Sequence, residues 1–249
     1  MSLPLSVCVA VYRAHEAPNL TTLARDVPAA LDGLAGELCV ALNGISAADA
    51  GVPGDARVAD LGVNRGVAPG WNAAAGVASG DVLVFANDDV ELGPRSLALL
   101  YAAAVSDPGV GVVGPVGTRW DIPAGEHREW VDTGALATGE LAECEVVSGF
   151  LFACRAEVWR ALGGFDEFYA PASWEEVDFC TAARAQGLRN FAVAGVRAPH
   201  EWGVSKRQMP WARVRFDGRS ETWRSIHRRN REHFLGKWSA AALPEVAAS

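Results

Sequence analysis

Asp81-Val82-Leu83-Val84-Phe85-Ala86-Asn87-Asp88-Asp89-Val90-Glu91 runs from an apolar stretch straight into carboxylates. Opened by Ser79-Gly80, the apolar part reads as a strand buried on both faces, the kind found in the middle of a mostly parallel sheet. Ligands of open α/β sheets bind beyond the carboxyl ends of the strands, and Asp88 and Asp89 fall at that end. Two adjacent carboxylates repel one another and lose hydration there unless a positive group sits with them. A hard divalent cation, Mg2+ or Mn2+, meets that need. Mg2+ takes one or two protein carboxylates and leaves the rest of its shell to water and substrate phosphates. The plainer alternative is a solvated turn that caps the next helix.

Around this stretch the chain alternates. Strands are expected at residues 5–12, 37–42, 57–61, 82–86 and 110–116. Partly helical spacing covers 13–34, with Pro18 in the first turn. A small-residue helix covers 68–78, and a third helix covers 94–105. The order β-α-β-β-α-β-α-β implies an α/β, doubly wound sheet with short connections. Residues 117–143 scatter Trp, Pro, Gly and charge without a period and read as a loop-rich insertion. Residues 145–154 (EVVSGFLFAC) read as one strand. A short helix over 155–162 ends at Gly163-Gly164. A helix over 173–186 is expected to be capped by Ser173, with Glu175 and Glu176 in its positive first turn. Residues 190–196 make a last strand, 219–235 a basic amphipathic helix, and 239–249 a flexible tail.

The 249 residues carry a net charge of −8, which argues against a nucleic-acid partner. The charge is uneven: residues 201–238 hold ten Lys/Arg against four Asp/Glu. That basic end fits phosphate, anionic lipid headgroups, or simple docking on an acidic body. Five scattered cysteines in apolar surroundings (Cys8, Cys39, Cys144, Cys154, Cys180) suggest reduced core thiols and a cytoplasmic protein. No apolar run is long enough to span a bilayer, and the first residues lack the pattern of a signal peptide.

In this detail the chain resembles the family 2 glycosyltransferases of GT-A fold, close to their rhamnosyltransferase-like branch. The likeness rests on several short matches in order. These are the first strand ending at Tyr12; Asn43-Gly44; Asn64-Arg65-Gly66 with Asn72; Asn87-Asp88-Asp89; and Gly163-Gly164-Phe165-Asp166-Glu167. Trp174-Glu175-Glu176-Val177-Asp178, His200 with Ser205 behind it, and the NREHFLGKW segment of residues 230–238 complete the set. The resemblance implies a Rossmann-like, mostly parallel central sheet flanked by helices. Residues 1–116 would form the nucleotide-sugar half of one domain, and 117–238 the acceptor-side, catalytic half. It implies a metal-dependent inverting transferase that moves a sugar from a UDP-, dTDP- or GDP-sugar to an acceptor hydroxyl. Ala10, Tyr12, Asn43, Asn64, Gly66, Asn72, Asp88 and Trp174 would bind the donor, and Asp89 and His200 would hold Mn2+ or Mg2+.

By the same resemblance Glu176 is the general base, with Glu175 as the alternative, and Asp178 orients a loop. Lys206 and Arg207 are candidate phosphate contacts. Trp174 and Trp202 are candidate sugar platforms, ahead of Trp120 and Trp130. The sequence departs from the family at Leu42, where an acid usually contacts the base, so the nucleotide stays open. Membrane contact at the inner face through the basic C-terminal helix is left open too. The competing readings are a sugar-nucleotide-binding protein without turnover and a sugar-phosphate nucleotidyltransferase. The latter wants a glycine-rich basic loop where this chain has Tyr12-Arg13-Ala14-His15-Glu16.

Overall fold

A computed structural model describes residues 3–13, 19–200, 210–241 and 243. The elements in order are β1 (Leu3–Val11), α1 (Leu20–Leu31), β2 (Gly36–Leu42), α2 (Ala47–Ala50), β3 (Arg57–Asp60), α3 (Val67–Gly76) and β4 (Gly80–Ala86). Then come α4 (Ser96–Ala104), β5 (Val110–Gly114), β6 (Gly117–Asp121), β7 (Glu126–Trp130), β8 (Leu141–Cys144), β9 (Val146–Val147) and β10 (Leu151–Arg155). The chain continues through α5 (Ala156–Leu162), α6 (Glu175–Ala185), β11 (Arg189–Val193), β12 (Arg213–Phe216), β13 (Arg219–Thr222) and α7 (Trp223–Trp238).

The eight-stranded sheet has the order β3-β2-β1-β4-β10-β5-β11-β8. Strands β3, β2, β1 and β4 run parallel, while β10 is antiparallel to both of its neighbours. Both faces are buried, as the unbroken apolar strands require. Val82, Val84 and Ala86 of β4 face one core with Leu20, Leu23, Leu97 and Leu100 of α1 and α4. Leu83 and Phe85 face the other core with Trp71, Phe165, Phe179 and Phe234. Val9 pairs with Ala86 and Val11 with Leu42, so the ends of β1, β2 and β4 lie side by side. Tyr12, Asn43 and Asn87–Asp89 therefore follow the carboxyl ends of adjacent strands, at the same end of the sheet.

Several boundaries differ from expectation. Residues 117–143 are not mainly loop: β6 and β7 form a hairpin, and β8 pairs antiparallel with β11 at the sheet's edge. Half-exposed edge strands carry little period of their own, because their partners set the pairing. The stretch 145–154 is two strands, broken at Ser148-Gly149-Phe150, where β9 joins β6 and β10 joins β4. The basic helix starts at Trp223, not 219. Asp217-Gly218, with φ of 47° and 69°, makes the two-residue turn of a β12–β13 hairpin. Thr222 then caps α7 by accepting from Ser225 N. Ser173 does not cap α6. The cap position is Trp174, and the Ser173 hydroxyl instead sits 3.1 Å from His227 Nδ1. Asn19 caps α1 and short α2 precedes β3, whereas Pro18 lies outside the described residues. The five cysteines are free and buried. Among the described residues no helix is long and apolar enough to cross a membrane.

Candidate functional site

A cleft of about 270 Å3 opens beside the ends of β1 and β2. Ala10, Tyr12, Arg13, Asn43, Asn64 and Gly66 line it on the sheet side. Pro171, Ala172, Arg213, Val214, Arg215 and Trp223 close it from the C-terminal side. Five of the expected donor-binding residues thus meet in one cavity. Arg13, Arg213 and Arg215 give it a positive wall, as an anionic ligand needs. Their sequence signal was present only as local basicity.

Two of the asparagines act on the walls. Asn43 Oδ1 accepts from Arg65 N at 2.7 Å, and its Nδ2 donates to Gly66 O at 2.8 Å. Asn64 Oδ1 accepts from Gly66 N, and its Nδ2 donates to Arg215 O at 3.3 Å. The pair shapes the 64–66 turn and ties the β12–β13 hairpin to it. Asn72 stands apart from the cleft lining. Its Nδ2 donates to Phe165 O at 2.9 Å and its Oδ1 accepts from Phe165 N, so it clamps α3 to the Gly164-Phe165 turn.

Gly66 sits at φ 101°, and a Cβ there would come 2.7 Å from Pro171 Cα and 2.8 Å from Pro171 O. Val67 N donates to that same carbonyl at 2.7 Å. The close approach that Gly66 permits is thus to the 170–172 segment over the cleft. Gly66→Ala meets both a left-handed backbone and a backbone clash, and should cost ~1–3 kcal/mol, read as a melting temperature lower by several degrees.

Beyond β4 the two aspartates are reached. Asp88 is only 8% exposed. Burial first, then the charge of Asp89, push its carboxyl up to about 7, against the pull of Arg13. Burial also pushes the Tyr12 phenol up, with Asp88 and Asp89 adding to it and Arg13, its guanidinium 5.0 Å from the ring, opposing. Glu91 N donates to Pro199 O and Gly93 N to Arg197 O, which lays residues 197–200 along the loop after β4. His200 Nε2 thereby arrives 3.3 Å from Asp89 Oδ1 and 3.4 Å from Asn87 Nδ2. Phe150 stacks on the imidazole, centroids 4.9 Å apart, and its carbonyl accepts from Asn87 N at 2.9 Å.

Among the described residues no three His, Cys, Asp or Glu side chains gather as one metal cluster. A carboxylate oxygen and an imidazole nitrogen within one ion's reach, beside a second carboxylate that resists ionising, fit a divalent cation whose remaining shell comes from water and a diphosphate.

The turn at Ser148–Phe150 also leads to the acidic helix start. Glu176 packs against Gly149, where a Cβ would fall 3.1 Å from its Cγ and Cδ. Glu176 is half-buried, while Glu175 is 7% exposed and its Oε2 has no hydrogen-bond partner among the described residues. Burial, then the neighbouring charge of Glu176, hold the Glu175 carboxyl well above the usual range. The importance of Gly149 and Phe150 is missed when 145–154 is read as one strand, although the Ser-Gly pair signals a break.

Asp178 faces the C-terminal helix. It accepts from Tyr169 OH at 3.0 Å, Lys237 Nζ at 2.7 Å and Trp238 Nε1 at 2.7 Å. Lys237 and His233 also reach Asp166. This part of the basic helix docks on the acidic body. Trp174 packs edge-on against Trp120 and tilted against Phe234, and Trp130 is 55% exposed on the β6–β7 hairpin. Trp202, Ser205, Lys206 and Arg207 lie outside the described residues.

Residues 46–153 match the family described as glycosyl transferase family 2. Over 164 residues the chain is 29% identical to the O-antigen biosynthesis protein RfbC of Myxococcus xanthus, a match that covers 55% of this chain and 12% of that much longer protein. Solved structures share the fold. GalNAc-T7 with UDP, GalNAc and Mn2+ superposes with a TM-score of 0.65 at 16% identity, over 87% of this chain and 45% of that one. The mannosyltransferase PcManGT of Pyrobaculum calidifontis, in complex with GDP-Man and Mn2+, gives 0.54 at 21% identity, over 76% and 54%. Residues 1–349 of S. aureus TarS in complex with UDP give 0.59 at 16% identity, over 79% and 59%.

Proposed function

From the premise that the chain is a family 2 glycosyltransferase of GT-A fold, we propose that it transfers a sugar from a nucleoside-diphosphate donor to an acceptor hydroxyl in one inverting displacement. The observation that carries this reading is a single run of contacts. Tyr12 and Arg13, which line the cleft with Asn43 and Gly66, lie near enough to Asp88 to feel its charge, and Tyr12 feels that of Asp89 as well. His200 joins Asp89 to Phe150, and Gly149 beside it touches Glu176.

The nucleoside occupies the cleft, and Arg13 and Arg215 offset the charge of the diphosphate. Asp89 and His200 would hold Mn2+ or Mg2+, which, when bound, supplies positive charge to the departing diphosphate. A general base must be ionised and within ~3 Å of the proton it takes, directly or through one water. Burial disfavours the ionised form of Glu175, so the role is assigned to the half-buried Glu176. Its carboxylate takes the acceptor's proton. The freed oxygen attacks the anomeric carbon as the bond to the phosphate oxygen breaks, and the configuration inverts.

Melting curves with a panel of UDP-, GDP- and dTDP-sugars, each with Mn2+ or Mg2+, test the donor half. One donor should raise the melting temperature, and only with a cation present; a flat response across the panel counts against it. Gly149→Ala tests the link to the base. Its Cβ pushes on Glu176, and turnover should fall ~10- to 100-fold through misplacement alone while nucleotide affinity holds.

A further inference from the structure

The segment between Tyr169 and Glu175 touches both halves of the site. Pro171 and Ala172 line the nucleotide cleft, and Trp174 leads directly into the helix that carries Glu176. Its backbone is strained at the helix end. Ser173 and Trp174 have φ of 84° and 83°, consecutive left-handed residues without a glycine, a conformation that persists only where surroundings enforce it. What enforces it is Asn230 of α7, which is fully buried. Its Nδ2 lies 2.9 Å from Tyr169 O, 3.2 Å from Ala172 O and 2.8 Å from Ser173 O, so its two N–H groups are shared among three carbonyls. Its Oδ1, equally buried, finds no donor among the described residues, so the side chain leaves an acceptor unmatched there while it holds this one strip of backbone. Arg229 adds a bond to Ala170 O, and Pro171 O takes Val67 N at the mouth of the cleft.

We infer that residues 169–174 are a strap coupling the nucleotide cleft to the start of the catalytic helix, and that Asn230 is the positioning residue that fastens it. Asn230 is not itself a cleft-lining residue; it reaches the lining only through the backbone carbonyl of Ala172. It acts by fixing the turn from which Glu176 projects, so that a ligand pressing on Pro171 and Ala172 is felt at the base. The coupling to catalysis rests on the function proposed above; the fastening by Asn230 does not.

Hydrogen exchange followed by mass spectrometry, on wild type and on the near-isosteric Asn230→Asp, tests both. Asp offers one donor proton at most where the amide offers two, and its charged form repels the three carbonyls. Without ligand, exchange in peptides spanning 169–178 should rise about tenfold or more in the variant, with the central strands unchanged. Adding UDP, GDP or dTDP with Mn2+ should protect 175–178 in wild type and not in the variant. With the donor found in the panel, kcat should fall at least about tenfold while KM stays within about threefold. Adding Ser173→Gly to Asn230→Asp should restore part of the protection and of kcat, because glycine adopts φ 84° without being held there. Unchanged exchange over 169–178, a rise spread evenly over the fold, or no rescue by Ser173→Gly overturns the inference. If no nucleotide protects any peptide, the donor site is wrong while the unliganded exchange still decides the role of Asn230. Should Asn230→Asp fail to fold, Ser173→Val, which strains the same turn with Asn230 intact, must produce the same local rise or the strap is refuted.

Discussion

Glu176→Gln is expected to abolish most turnover, ~10²- to 10⁴-fold, while nucleotide affinity stays as in wild type. The amide keeps the length and packing of the side chain against Gly149 but cannot accept a proton. Glu175→Gln is the matched control. Burial disfavours the charged form of Glu175, so an uncharged amide there should leave most of the activity. Product analysis with the donor found in the panel, beside calorimetric nucleotide binding, reads both quantities. If the two glutamines exchange roles, with Glu175→Gln inactive and Glu176→Gln active, the base assignment is reversed. If both remain active, neither acid is the base.

Asp89→Ala should remove the cation's contribution to nucleotide binding. Asp88 is a poorer substitute, because burial raises its carboxyl to about 7 even beside Arg13, and His200 alone offers a single ligand atom. Wild type should bind a nucleoside diphosphate at least ~10-fold more tightly with Mn2+ than without, a difference of about 1.4 kcal/mol per decade. In Asp89→Ala that difference should vanish, and the residual affinity should equal that of wild type in a chelator. Isothermal titration with and without Mn2+ measures it. An undiminished metal effect in the variant would separate Asp89 from the metal.

The half of the fold that carries the donor residues was legible because its central strands, β1 and β4, are buried on both faces. Val82–Ala86 can be little other than a central strand, and such a strand fixes where Asp88 and Asp89 emerge. The later half was less so. The hairpin of β6 and β7 is exposed and charged, and β8 is an edge strand held by β11, so neither shows a period of its own. The Asp217-Gly218 turn was a readable signal overridden by the helical spacing around it. Within the site, residue types were informative where chemistry dictates them, as with Asp89, His200 and Glu176. Asn43, Asn64 and Asn72 carried a less specific signal. An asparagine can serve a ligand or a backbone turn: all three bond backbone here, while Asn43 and Asn64 also line the cleft and Asn72 also donates to Glu167. Asn230 was visible only as part of a motif, since its partners lie 57 to 61 residues away. Ser173 looked like a helix cap by type, but the tertiary pull of Asn230 moves the helix start one residue on and gives that place to Trp174.

Crystals grown with Mn2+ and the nucleoside diphosphate that most stabilises the protein test the central claim most directly, through the anomalous signal of manganese. A peak within bonding distance of Asp89 and His200, with the diphosphate against it and the nucleoside in the cleft between Tyr12 and Arg215, is the predicted result. A nucleotide seated elsewhere, with no manganese at Asp89, would contradict it.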